Sequence, residues 1–398
     1  MTKNVAALEI TSRVAKFAIG YCYKGNPYLL YYAEKPIAHF MNRGLINSDK
    51  EVAKVLSTFS NIEDENLRVK VDCDDLALVL PALGFEVYET TKATNLVGNE
   101  VAPLDISNVL LLVEKETIPN NNLVVDIVPD YYLLSNGECY SDEPLGRATL
   151  SLTMKAKIHT LPEALINSYK KTCEEAKYRV RQSSISPHCA SMLINSNPKN
   201  PESYFLIDIG ASLTTVSLIG KKSLYGSLVF YRGGEDITKA ISEKFSISFD
   251  EAEALKIKYG FDETNRAYET PINISGKTYS FSKKELTECI KEASLSLGIM
   301  IANAINSLSA KQGSASSFNQ LPLIFVGGGS KLFNLEKILK ESLGQQKEMI
   351  FYVPKVLGAR DPSLINVLGM ILDASNKNEH LSDSYHGVST LSRGKGDK

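Results

Sequence analysis

The chain has 398 residues, enough for two or more domains with a full-sized core. Its 44 Lys and Arg against 46 Asp and Glu give a near-neutral balance, so no basic field argues for nucleic acid. Its six cysteines lack paired spacing, which argues against a disulfide framework or zinc site and for a reduced, cytoplasmic protein. The opening MTKNVAALEI enters a strand directly, without the apolar region of a signal peptide, and no run approaches the apolar length of a membrane span.

In chain order, Ala6 to Gly20 reads as a strand, an acid (Glu9), a short polar turn and a second strand, with a third at Tyr28 to Tyr32. A loop leads to a helix with apolar residues at Val52, Val55 and Leu56, and then to a strand at Leu76 to Leu80. From Gly84 to Thr160 the character changes. Apolar runs at Val109 to Val113 and Leu123 to Val128, then alternation from Ala148 to Ile158, predict a small α/β insertion. Leu165, Tyr169 and Cys173 recur every four residues along a further helix.

Tyr204 to Gly220, YFLIDIGASLTTVSLIG, repeats the opening pattern: a strand ending at Asp208, a turn through Gly210 to Leu213, and a strand from Thr214, with a third at Ser223 to Phe230. A helix capped by Asp236 follows, then a second helix ending at Gly260. Next come a turn-rich hairpin up to Ser282, a helix from Lys283 to Leu308, and a strand at Leu321 to Val326 that runs into Gly327, Gly328 and Gly329 before another helix. From Ser375 the composition is polar, and the last residues read as mobile.

The repeated three-stranded meander predicts two similar domains, with a hairpin from each reaching a shared cleft. Glycine lets backbone approach a ligand closely, turn amides can cradle phosphate oxygens, and an Asp at the bend can hold hydrated Mg²⁺. Taken alone, either hairpin also reads as an ordinary buried turn with an acid cap. Glu253 and Lys256 share one helix face, as a solvated pair or as contacts for a ribose or base. Lys16 has two readings, solvated or facing the cleft. The five histidines, among them His159 and His188, lack ligand spacing, and Tyr131 and Tyr132 read as packing for the insertion.

Six segments, in chain order the first hairpin, Val124 to Thr160, the second hairpin, GGEDITKAI with AEALKIKYG, LIFVGGGSKL and VPKVLGARDPSLINVLGMI, resemble the actin and sugar-kinase superfamily, and within it the FtsA family. The similarity spans roughly residues 4 to 375. It implies an α/β, actin-like (ribonuclease H-like) fold, with two duplicated domains around a nucleotide cleft and an FtsA-type insertion. The implied division is 1–83 with 161–200 as the first domain, 84–160 as the insertion, 201–239 with 309–374 as the second domain, 240–308 as a subdomain that binds FtsZ, and 375–398 as a flexible tail. The implied cofactors are ATP and Mg²⁺.

On this resemblance Asp208 and Gly210 match the second phosphate loop, with Ala211, Ser212 and Thr214 beside them. Gly327, Gly328 and Gly329 match the adenosine loop, with Lys331 following. Glu253 and Lys256 stand at the nucleoside position, and Gly233 and Gly234 open the intervening segment. Glu9, Thr11, Ser12 and Lys16 make up the first loop, and Asp208 and Glu9 are the metal candidates. No catalytic residue is assigned. The resemblance further implies filaments of the chain itself, FtsZ as partner at the division septum, other divisome proteins on 84–160, and a place at the inner face of the cell membrane.

Several positions depart from the family pattern. Thr11 stands where the family has glycine, Ala211 to Thr215 replace Gly-Gly-Thr-Thr-Asp, and Ser186 occupies a position commonly acidic. Loss of one charge-stabilising group costs about 10²–10³ in rate, so turnover is expected to be weak or absent while binding survives. Leu381, Tyr385, Val388 and Leu391 lie at near-helical spacing in the tail, but Gly387 and abundant serine argue for a polar tail over a membrane helix. Two other functions fit parts of the pattern: a PilM-like pilus-assembly adaptor, and a small-molecule kinase, for which no base is evident.

Overall fold

The computed structural model describes residues 4–59, 62–64, 69–72, 75–119, 121–264, 271–274, 277–311, 320–380 and 390–393. The chain divides into two compact units, Met1–Ser196 with Asn366–Lys398, and Asn197–Ile365.

The first unit is built on β1 (Val5–Ile10), all six residues of which are buried. A strand apolar on both faces has to be covered on both sides, which places it mid-sheet. It pairs antiparallel with β2 (Val14–Tyr23), and β2 with β3 (Asn26–Pro36). On its other edge it runs parallel to β4 (Asp75–Leu80), also wholly buried, and β4 runs parallel to β8 (Arg179–Ile185). The sheet order is β8-β4-β1-β2-β3. Helix α1 (Asp49–Ser57) buries Val52 and Leu56, and α3 (Glu163–Glu175) buries Leu165, Tyr169 and Cys173, the four-residue spacing seen in the sequence.

Between β4 and α3 the insertion forms its own layer. Strands β5 (Glu86–Asn95), β6 (Asn122–Leu134) and β7 (Ser151–Pro162) make an antiparallel sheet with β7 in the middle. Helix α2 (Pro103–Glu114) covers one face through Ile106, Val109 and Val113, against Tyr132, Leu152, Met154 and Ile158. Tyr132 is in this core, whereas Tyr131 points outward.

Helix α4 (Ser186–Asn195) follows β8, with Ser186 in its first turn. The C-terminal helix, Ile365–His380, packs on it within the first unit, although its sequence reads as closing the second domain. Gly369 explains the approach, because a Cβ there would lie 1.8 Å from the Cys189 carbonyl oxygen. Only hydrogen fits between two backbones at that separation. Gly369→Ala is therefore expected to lower stability by about 2–3 kcal/mol in urea denaturation; an unchanged midpoint would refute this backbone contact. Thr390–Arg393 pairs antiparallel with Val69–Asp72. Leu381, Tyr385 and Val388 lie outside the described residues.

The second unit repeats the plan. β9 (Tyr204–Ile209) pairs antiparallel with β10 (Thr214–Gly220), and β10 with β11 (Ser223–Phe230). β9 runs parallel to β12 (Leu323–Val326), and β12 to β13 (Met349–Phe351), giving the order β13-β12-β9-β10-β11. The correspondence extends to register: Glu9 faces Lys16 and Val79 on its neighbours, and Asp208 faces Thr215 and Val326. Even the bulges match, between Ile19 and Gly20 in the first unit and between Leu218 and Ile219 in the second. Bulges re-aim a strand, so both meanders turn at the same place.

Helix α5 (Gly234–Phe245) begins two residues before Asp236, so Asp236 is an N3 residue and not the N-cap; its carboxylate accepts from the Gly233 N–H at 2.8 Å. Helix α6 (Phe249–Tyr259) has Ser248 and Glu251 as a reciprocal capping box and ends at Gly260. Helix α7 (Lys283–Lys311) is long and apolar enough to cross a membrane by length and composition, contrary to the sequence expectation. Its Leu297, Ile301, Ile305 and Leu308 instead join the core of this unit with Phe205, Ile207, Val216, Leu218 and Phe325. Helix α8 (Leu335–Leu343) adds Leu335 and Leu339 to the same core.

Candidate phosphate-binding site

In the second unit, three predicted segments converge around the end of β9. The Gly210 N–H donates to the Leu213 carbonyl at 2.8 Å, closing the hairpin turn. The carbonyls of Gly210 and Ala211 accept from the Gly234 and Glu235 N–H groups, at 3.0 and 2.8 Å. The first amides of a helix lack intrahelical partners, so here the hairpin satisfies them and is clamped to α5. Gly233 is needed for that contact, since a Cβ would meet the Ala211 oxygen at 2.4 Å. The Thr214 hydroxyl donates to the Arg232 carbonyl at 2.8 Å, tying the second strand of the hairpin to the same loop.

The glycine run after β12 closes the other side. Gly327 has φ +84°, and a Cβ would lie 2.2 Å from Asp208 Oδ1; a Cβ on Gly329 would lie 2.3 Å from Ile209 Cγ2. The middle glycine differs. A Cβ on Gly328 would meet only the Ser363 Cβ, at 4.0 Å. Beside these loops, the Ser212 Oγ in the hairpin turn is buried without a hydrogen-bond partner. A hydroxyl in that condition costs free energy unless a ligand supplies the partner. Close backbone packing, a side open at Gly328 and an unpartnered hydroxyl fit a phosphate group, with Asp208 beside it to hold a hydrated Mg²⁺.

The flanking candidates are engaged differently. Lys256 is buried, and its ammonium donates to the Gly234 carbonyl at 2.9 Å, the Thr238 hydroxyl at 2.8 Å and Glu253 Oε2 at 2.7 Å. Those three acceptors use its three N–H groups. The solvated-pair reading did not anticipate this: buried Lys256 and half-buried Glu253 brace α5 against α6, completed by a hydrogen bond from the Thr238 hydroxyl to Glu253. Lys331 pairs with Asp361 at 2.9 Å. Burial works against ionisation of Asp361, but the Ser363 N–H and the Lys331 ammonium hold its carboxyl below its usual range.

The first hairpin shares the backbone of the second but not its chemistry. Thr11 N–H donates to the Val14 carbonyl at 3.0 Å, as Gly210 does to Leu213. The Thr11 hydroxyl oxygen, however, accepts from the N–H groups of Arg13 and Val14, at 3.3 and 3.1 Å. These are turn amides that a phosphate would need. Ser12 lies half-buried in the same turn. Glu9 is occupied as well: Lys16 Nζ lies 3.0 Å from its Oε2, and Asn366 Nδ2 donates to its Oε1 at 2.7 Å. With a buried ammonium already on the carboxylate, Glu9 does not fit as a magnesium ligand. Lys16 is buried, not solvated, and sits directly across the ladder from Glu9. Asn366, Thr238 and Asp361 escaped the sequence reading, because each acts on a partner distant in the chain or on a neighbouring helix.

A family profile described as cell division protein FtsA matches residues 205–369. The cell division protein FtsA of Enterococcus hirae is 26% identical over 349 residues, 85% of this chain and 76% of the relative. Among solved structures, a PilM–PilN type IV pilus biogenesis complex superposes with a TM-score of 0.62 at 15% identity, over 93% of this chain and 98% of the other. MreB5 of Spiroplasma citri bound to AMPPNP superposes with a TM-score of 0.55 at 13% identity, over 95% and 98%. At such identities the structural matches speak for the fold alone, and the sequence matches carry the kinship. The chain thus has the actin-like fold and is a relative of the cell division protein FtsA.

Proposed function

We propose that this chain works in bacterial cell division as an FtsA-like scaffold that binds ATP, assembles into filaments of itself and holds FtsZ at the septum, on the inner face of the cell membrane. The observation that carries the nucleotide part is the cradle of Asp208, Ser212, Gly233, Gly327 and Gly329, with its open side at Gly328. Binding centres on the second hairpin, with Asp208 as the residue that holds Mg²⁺. The first hairpin contributes little to phosphate, since Thr11 and Lys16 already satisfy its amides and its acid. Phosphoryl transfer depends on positioned charge and an oriented nucleophile, so a self-satisfied loop supports weak or absent hydrolysis. The FtsZ, filament and membrane assignments rest on kinship with FtsA, with residues 240–308 as the proposed FtsZ-binding subdomain and 84–160 as a surface for other division proteins.

Calorimetric titration with ATP and Mg²⁺ tests this reading. Saturable binding is expected in the wild type, with a loss of at least ~10-fold in Asp208→Ala. Co-sedimentation with FtsZ filaments is expected for the intact protein. A folded wild type that neither binds ATP nor sediments with FtsZ would overturn the proposal.

A further inference from the structure

We infer that Asp126, His188 and Asp373 form a binding site for one divalent first-row transition ion of the zinc type, within the first unit. The three residues come from β6, α4 and the C-terminal helix, all are buried, and one ligand atom from each lies within 4.8 Å of the others. His188 Nε2 is 3.7 Å from Asp126 Oδ2 and 3.7 Å from Asp373 Oδ1. That is too long for hydrogen bonds. It is close to the spacing of two ligands that share one ion through bonds of roughly 2.1 Å.

Two further observations point to a missing partner. Asp126 Oδ2 is buried with no hydrogen-bond partner, on a side chain only 8% exposed, and it is one of the atoms that faces His188. His159 is wholly buried with both ring nitrogens unpartnered, and its ring stands edge to face on His188 with centroids 5.2 Å apart. Orphaned polar atoms in one buried cluster are costly, and an ion there would relieve the carboxylate directly.

The remaining carboxylate oxygens are already held. Lys377 Nζ lies 2.6 Å from Asp126 Oδ1 and 3.1 Å from Asp373 Oδ2, and Gln182 donates to the latter at 2.9 Å. Such outer bonds fix the direction of the free oxygens, as around metal ligands generally. One ammonium against two carboxylates also leaves a negative charge for a second cation. Lys377 thus orients the ligands and also competes with the ion. A set of one imidazole and two carboxylates, without thiolate, suits Zn²⁺, Co²⁺ or Mn²⁺ better than Cu⁺. An ion bound there would join the insertion sheet to the C-terminal helix.

The test uses the full-length, untagged protein, stripped with chelator and dialysed. Titration with Zn²⁺ by calorimetry, and with Co²⁺ by its visible absorption, is expected to show one ion per chain and a raised melting temperature. Asp126→Asn and His188→Gln should each weaken binding by ~100-fold or more. Lys377→Met should bind at least ~5-fold more tightly, because the competing charge is gone. This gain separates an ion site from a charge network, in which the same change only destabilises. The inference falls if the folded wild type and folded Lys377→Met both take up no ion, or if binding persists unchanged in Asp126→Asn and His188→Gln.

Discussion

Gly327→Ala is expected to lower stability by about 2–4 kcal/mol in urea denaturation and ATP affinity at least ~30-fold by calorimetry, while Gly328→Ala, one residue on, keeps stability within about 0.5 kcal/mol of the wild type. The contrast follows from geometry. Gly327 sits in the left-handed region at φ +84°, which costs a side chain about 1–2 kcal/mol before any contact is counted. Its added Cβ would also lie 2.2 Å from Asp208 Oδ1 and 2.6 Å from the Ile209 carbonyl oxygen. The carboxylate proposed to hold Mg²⁺ and the backbone leading into the hairpin turn would both be displaced. Gly328 has no such neighbours, since only the Ser363 Cβ comes within 4.0 Å of its added carbon. Circular dichroism of both variants separates local from global damage. Equal stabilities for the two variants would show that a carbon added at position 327 does not meet Asp208.

Lys16→Met is expected to destabilise the protein by about 3–5 kcal/mol in urea denaturation, with most of the loss recovered in the Glu9→Gln/Lys16→Met double variant. Both side chains of the pair are only 9% exposed. Deleting the ammonium leaves Glu9 as a buried carboxylate that keeps the hydrogen bond from Asn366, and an uncompensated buried charge is far more costly than the intact pair is stabilising. Replacing both charges removes that penalty, which is why the double variant should be the more stable. A Lys16→Met protein within 0.5 kcal/mol of the wild type, measured to the usual precision of about that size, would show that the pair is effectively solvated.

The duplicated meander was legible in the residues because its causes are local. AALEI, DLALVL, YFLIDI and LIFV carry apolar residues on both faces, which marks central strands, and the turns between antiparallel partners carry their own signals. The acid at each bend and the three glycines after Val326 were likewise visible, and with them the second hairpin as a candidate phosphate site. The two hairpins looked more alike in sequence than they are in chemistry. Their backbones do match, but Thr11 turns its hydroxyl onto its own amides and Lys16 covers Glu9.

What the residues could not reveal is which polar groups meet across long stretches of chain. Asn366 reaches Glu9, Gly369 lets its helix touch Cys189, and Lys256 braces two helices from a position that reads as surface. His159 and His188, set aside for want of ligand spacing, lie edge to face beside two buried acids. By itself the sequence determined the repeated strand pattern and the glycine-bearing turns, since periodicity and backbone sterics act between near neighbours. Only the tertiary structure decided the partners of the buried charges, because pairing between distant segments depends on packing and leaves no period in the chain to read.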